Sequence, residues 1–202
     1  MGGCLNIEVH QNLKSNDHFT SSLKNILKTV LDQEQLIKFI NSVKLQNEKK
    51  HSWFEYKNIK VKFRLNKNVG QLEWGIFLYF NQNEYKYVLE LSILETEIQI
   101  YEDGKPYFEV EKTNQVLSLM KQIHKSNEEA IILFTDEASQ GKLVENLNVN
   151  NVDINYLFDL AILPTGLNWQ NDISKYDKIE KIGGSEVWKS KSSYMRKFKT
   201  FV

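Results

Sequence analysis

Residues 59–110 alternate apolar and polar side chains with a period of two, and this restricts the chain more than any other feature. Ile59, Val61, Phe63 and Leu65 alternate with Lys60, Lys62 and Arg64. Leu72, Trp74, Ile76, Leu78 and Phe80 alternate with Glu73, Gly75, Phe77 and Tyr79. Successive side chains of a strand point to opposite faces, so such a pattern forms half-buried strands and not a helix. Pairing Leu65 with Leu72 sets Phe63 against Trp74, Val61 against Ile76 and Arg64 against Glu73, one register that suits both faces. Tyr85, Tyr87, Leu89, Leu91 and Ile93 predict a third strand after the turn at residues 81–84. Ile98 and Ile100 predict a fourth. Asp103-Gly104 is a two-residue hairpin signal leading into Tyr107, Phe108 and Val110. Pro106 has no N–H for a ladder, so this fifth strand is expected at an edge. Phe77, Tyr79 and Val88 fall on the face opposite Trp74 and Ile76. That face is either covered by helices or left as an apolar interface patch.

Helical spacing flanks this region. Phe19, Leu23, Ile26, Leu27, Val30 and Leu31 recur on one stripe, with Ser15, Asn16 and Asp17 as candidate caps. Leu36, Ile37, Phe39, Ile40 and Val43 form a second stripe, so residues 17–46 predict a helical pair. Val116, Leu117, Met120 and Ile123 predict another helix, capped at Thr113. Ala130–Phe134 reads as a buried strand, residues near 137–147 as a short helix, and Ile154–Leu163 as a helix stopped by Pro164. "TGLNWQND" and "KIGGSE" read as loops. The expected fold is therefore α+β, with the N-terminal helical pair packed on an antiparallel meander of about five strands, then a mixed α/β C-terminal part. Residues 1–165 are read as one domain. Residues 166–202 are read as a loop-rich extension, packed on it and ending in a basic-aromatic tail.

The 202 residues are 41% hydrophobic and 26% charged, enough to bury a core without metal or disulfide staples. Cys4 stands alone, so neither a disulfide framework nor a structural zinc site can be assembled within one chain. No run is long and apolar enough for a membrane span and no secretory segment is visible, which points to a cytoplasmic protein. Met1-Gly2-Gly3-Cys4-Leu5-Asn6 half resembles a myristoylation signal, but Asn6 stands where Ser or Thr is needed. Leu5, Ile7 and Val9 instead begin a short strand.

Candidate chemistry thins out on inspection. "TDEASQGKL" (residues 135–143) follows a strand and ends Gly-Lys, as a phosphate-cradling loop does. Its first glycine position holds Asp136, its hydroxyl position holds Leu143, and Asp136 and Glu137 repel an anion. It reads as a helix start capped by Thr135 or Asp136. His10, His18, His51 and His124 have no metal-ligand spacing, and they read as surface or half-buried imidazoles. Glu55-Tyr56-Lys57 and Glu84-Tyr85-Lys86 match the Glu-x-Lys of magnesium-dependent nucleases, with Glu73 as the more distant acid. No metal, cofactor or catalytic residue is assigned, and the chain reads as a binding module in preference to an enzyme.

Charge is segregated although Lys+Arg and Asp+Glu both number 26. From Glu90 to Lys112 seven acids face two lysines. From Val187 onward there are five bases, no acid and interleaved aromatics. Two binding surfaces follow. One is an acidic face of Glu95, Glu97, Glu102 and Asp103. It would serve an inhibitor or immunity-type protein that neutralises a basic toxin or nuclease. The other is the basic-aromatic tail of Trp188, Lys189, Lys191, Tyr194, Arg196 and Lys197. It would serve a protein partner or, as the alternative, nucleic acid together with Lys60, Lys62 and Arg64. The third reading is the metal-dependent nuclease with dispersed acids.

Overall fold

The computed structural model describes residues 3–12, 16–29, 34, 52–55, 61–63, 72–81, 86–136, 158–167, 174, 176–191 and 197–198. Among them twelve strands and two helices follow in chain order. The strands are β1 (Cys4–Asn12), β2 (Ser52–Glu55), β3 (Val61–Phe63), β4 (Leu72–Asn81), β5 (Lys86–Leu94), β6 (Gln99–Glu102), β7 (Lys105–Phe108), β8 (Ile131–Asp136), β9 (Leu160–Pro164), β10 (Tyr176–Ile182), β11 (Ser185–Ser190) and β12 (Lys197–Phe198). The helices are α1 (Asn16–Leu27) and α2 (Val110–Ser126). A large antiparallel sheet runs β10-β11-β9-β8-β1-β5-β4-β2, with β3 also on β4. A second sheet, β12-β7-β6, has three strands.

This overturns the expected α+β arrangement. The described chain is mostly sheet, and its N-terminus is not a helical pair but the strand β1, placed between β5 and β8. Burial explains the placement. Leu5, Ile7 and Val9 are all buried on one face, opposite Ile93, Leu91 and Leu89 of β5 and next to Phe134 and Ile132 of β8. Helix α1 covers this face with Leu23, Ile26 and Leu27. The second expected helix, over residues 36–43, lies outside the described residues. Leu160–Leu163, expected at the end of a helix, is a strand buried along its length. Residues 176–190 form the hairpin β10–β11, turning at Gly183-Gly184, and β11 pairs with β9. The helix expected near residues 137–147 lies outside the described residues, while Thr135 and Asp136 continue strand β8.

Local chemistry accounts for most boundaries. Helix α2 buries Val116, Leu119, Met120 and Ile123, the i, i+3, i+4, i+7 positions of one face. It starts a turn earlier than Thr113 suggests. The Thr113 hydroxyl donates to the Glu109 carbonyl at 2.8 Å, a bond back along the helix and not a cap. Asp103 (φ 51°) and Gly104 (φ 73°) both have positive φ, which the two-residue hairpin between β6 and β7 requires. The β3–β4 register pairs Val61 with Trp74, Lys62 with Glu73 and Phe63 with Leu72, two residues from the one expected. A shift of two keeps every side chain on its face, so alternation alone cannot detect it. Strand β7 is not an edge, because β12 lies parallel to it. Pro106 is tolerated because, among the described residues, β12 pairs with Tyr107 and Phe108 and not with Pro106. Toward β6, Pro106 faces Tyr101 at a position flanked by hydrogen-bonded pairs and makes no ladder bond.

Polar links join the layers. The Asn127 side-chain amide donates to Gln11 of β1 and to Ser22 of α1, tying the end of α2 to both. His124, expected at or near the surface, is 3% exposed on α2. Neither of its ring nitrogens makes a hydrogen bond of ordinary geometry. Burial pulls its pKa below 6.5, while the Ile182 backbone and the Glu128 charge oppose the shift. Above pH 6.5 the imidazole is neutral folded and unfolded, and pH has no effect through it. Below 6.5 the unfolded chain takes up a proton that the folded chain refuses. Stability therefore falls with pH from there down to the folded pKa, by up to about 1.4 kcal/mol per pH unit. Urea titrations at about pH 7.5 and 5.5 should show this loss, and His124→Leu should remove it.

Candidate functional site

The acidic residues lie along the β6–β7 hairpin and the turn before it. Strand β5 ends at Leu94, and Glu95–Glu97 make one 3-10 turn. The turn is pinned by the Glu95 N–H, which donates to the Gly3 carbonyl at 2.9 Å. Ile98 and Phe108 bury the base of the hairpin in the main core. Along β6 burial decreases outward: Gln99 is buried, Ile100 half-buried, and Tyr101 and Glu102 exposed. Glu95 is half-buried, and Glu97, Glu102 and Asp103 are exposed. Glu95 and Glu97 thus mark the base, and Glu102 and Asp103 the tip. Glu97 closes the 3-10 turn, and Glu102 ends β6 three strand steps, roughly 10 Å, beyond Gln99. The four acids form a ridge and not one cluster. Leu94 is 54% and Tyr101 68% exposed on the same ridge.

Four of the six basic-aromatic residues are among the described residues. Trp188 and Lys189 belong to β11, where Trp188 is half-buried against the core of Ile131, Leu133, Phe158, Ala161, Leu163 and Tyr176. In that core Phe158 stacks on Tyr176 with centroids 4.3 Å apart, and burial raises the Tyr176 phenol to about 12. Lys178 lies 6.0 Å from the Trp188 ring centre and 3.0 Å from Glu186. Lys191 lies 3.6 Å from Asp177 and donates to the Ser174 carbonyl at 2.8 Å. Lys197 pairs with Tyr107 through β12, and Tyr194 and Arg196 lie outside the described residues. Lys62 is in β3, while Lys60 and Arg64 lie outside.

Of the nuclease constellation, Glu73 and Lys86 are described, and they lie far apart. Glu73 is near the start of β4. Lys86 is paired with Asn81 at the other end of that strand. Eight residue steps, roughly 26 Å, lie between the two levels. Glu84 lies outside the described residues. Among the described residues no three His, Cys, Asp or Glu side chains are placed to share a metal ion. Among them, too, no helix is long and apolar enough to cross a membrane.

A further polar group was not anticipated. Asn6, Glu8 and His10 line the second face of β1, and all three are buried. His10, expected at or near the surface, is buried on an inner strand of the sheet. Its Nε2 lies 2.9 Å from Glu8 Oε2. Glu90 of β5 stands directly opposite Glu8 and is 4% exposed, and Thr135 of β8 stands opposite Asn6. Val88 pairs with His10 and is also buried, so the outer face of β5 is covered there. The sequence signal for this row is Asn-x-Glu-x-His interleaved with Leu5, Ile7 and Val9. It looks like the solvent side of an ordinary half-buried strand.

No family model, curated protein or solved structure matches this chain.

Proposed function

We propose that the chain is a protein-binding module whose acidic β6–β7 ridge docks on a basic surface of another protein, as an inhibitor that occludes a basic site on a toxin or nuclease does. Tyr101 carries this reading. A tyrosine 68% exposed beside Glu102 and Asp103 joins a large contact surface with a polar tip to a charged surround. Interfaces concentrate their binding energy in such aromatic anchors, and surrounding charges steer the encounter. Leu94 extends the apolar part toward the base of the ridge. The lysines of the C-terminal strands support nucleic-acid binding less well, because Lys178 and Lys191 already face Glu186 and Asp177.

The test is binding to purified products of adjacent genes at low and high salt. Reversing Glu97, Glu102 and Asp103 to lysine together should weaken a true partner about 10- to 100-fold, chiefly through slower association. Tyr101→Ala should cost about 2 kcal/mol, roughly 30-fold, chiefly through faster dissociation. Affinity unchanged by either substitution excludes the ridge.

A further inference from the structure

We propose that the outer edge of β6 accepts an added strand, an extended basic segment of a partner protein. The proposal rests on the acidic ridge as a docking surface and names how the partner is held there. The two-residue turn at Asp103-Gly104 fixes the hydrogen-bond phase of the hairpin. Glu102 and Lys105 flank the turn and form its closing hydrogen-bonded pair. Bonded and non-bonded pairs then alternate, so Ile100–Tyr107 is bonded, while Tyr101–Pro106 and Gln99–Phe108 are not. The Glu109 N–H, which donates to the Ile98 carbonyl at 2.9 Å, continues the same phase. The backbone groups of Ile100 and Glu102 therefore face β7. Those of Gln99 and Tyr101 face the outer edge, where no described strand pairs with them.

Strand β10 shows how this molecule closes an edge. It is the last described strand of the large sheet, it carries Asp177, Lys178, Glu180 and Lys181, and its register shifts between Lys178 and Glu180. Charges and bulges of this kind keep edges from pairing with other chains. Strand β6 has neither device at its outer edge. Its register with β7 is unbroken, and the two residues whose backbone faces outward, Gln99 and Tyr101, are uncharged. Tyr101 is 68% exposed and Glu102 beside it is exposed, so a partner reaches this part of the edge. Two outward residues make a short template, and side chains must choose the partner. Directly opposite residues of paired strands share a face. A partner residue opposite Tyr101 packs on its ring, and the next one lies against Glu102, where lysine or arginine fits. Glu97 at the base and Asp103 at the tip extend the negative charge along the edge. A second copy of this chain fits poorly, because β6 paired with β6 sets these acids against their own kind. Nucleic acid is repelled by the same charges.

The experiment uses the full chain with its backbone amides assigned by NMR. The probe is a short capped peptide that alternates lysine with valine. Saturable binding is expected to slow hydrogen exchange at the Tyr101 amide, with little change at Ile100 and Glu102, whose N–H groups are already bonded to β7. Two further peptides carry N-methyl groups on the valine nitrogens alone or on the lysine nitrogens alone. Both keep every side chain and charge, but each loses the donors of one strand edge. One of them should bind at least about tenfold more weakly than the parent and the other should not. Loss with the valine pattern marks an antiparallel added strand, and loss with the lysine pattern a parallel one. Equal affinities of the two methylated peptides overturn strand addition and leave the ridge docking through side chains. No saturable binding of the parent peptide also overturns it, while binding of adjacent gene products still tests the ridge. Parent-peptide binding that survives reversal of Glu97, Glu102 and Asp103 to lysine overturns both readings.

Discussion

Phe134→Ala should lower stability by about 3–5 kcal/mol, the largest loss expected from one core truncation. Phe134 is fully buried in β8, between Ile7 of β1 and Leu160 of β9. Its ring also meets Phe108 of β7, tilted at 54° with centroids 6.0 Å apart. One side chain therefore fills the centre of the large sheet and fastens the small sheet to it. Truncation removes the apolar contact area of the ring and leaves a cavity that rigid cross-strand neighbours cannot close. Domains commonly have only 5–15 kcal/mol of stability, so the variant should approach its unfolding threshold. Phe134→Leu retains most of the volume and should cost much less. Urea denaturation measures both. A loss below about 1 kcal/mol for the alanine variant would show that the site collapses freely and that the ring pair does not couple the two sheets.

Alternation revealed which side chains share a face but not what covers that face. That limit sets how much of the fold and the site was legible. Strands β4 and β5, the Asp103-Gly104 turn and the buried face of α2 lie where period and turn chemistry place them. The β3–β4 register was missed by two residues because both registers put the same residues inside. Leu160–Leu163 looked helical because four apolar residues in a row carry no period. The structure buries them on both faces of an inner strand, where alternation is not needed. Strand β10 was missed for the opposite reason. It is the last described strand of the sheet and carries Asp177, Lys178, Glu180 and Lys181, the charged composition that protects edges. The acidic ridge was visible as charge, while its exposed Tyr101 was not singled out by any pattern. The buried row on β1 was hidden most completely. Asn6, Glu8 and His10 obey a solvent-facing pattern, and only three-dimensional neighbours show that water is absent.

Asn6→Val is expected to stabilise the protein, by about 1–3 kcal/mol. Most buried substitutions destabilise, so the sign is a demanding test. Asn6 is fully buried, and both its amide atoms lack a partner among the described residues. Valine removes that unmet hydrogen-bonding demand and is close enough in volume to avoid severe overpacking. As a β-branched residue in an inner strand it also gains some fraction of 1 kcal/mol in propensity. Two positions along, the same change should have the opposite sign. Glu8→Val removes the acceptor that His10 Nε2 meets at 2.9 Å and leaves a buried ring with no partner at either nitrogen. Breaking one side of a buried pair commonly costs a few kcal/mol. Urea midpoints for the two variants separate the cases. If Asn6→Val costs more than about 1 kcal/mol, the amide is paired in solution and the row is structural. If it stabilises while Glu8→Val destabilises, the unmet amide of Asn6 costs stability and the Glu8–His10 contact supplies it.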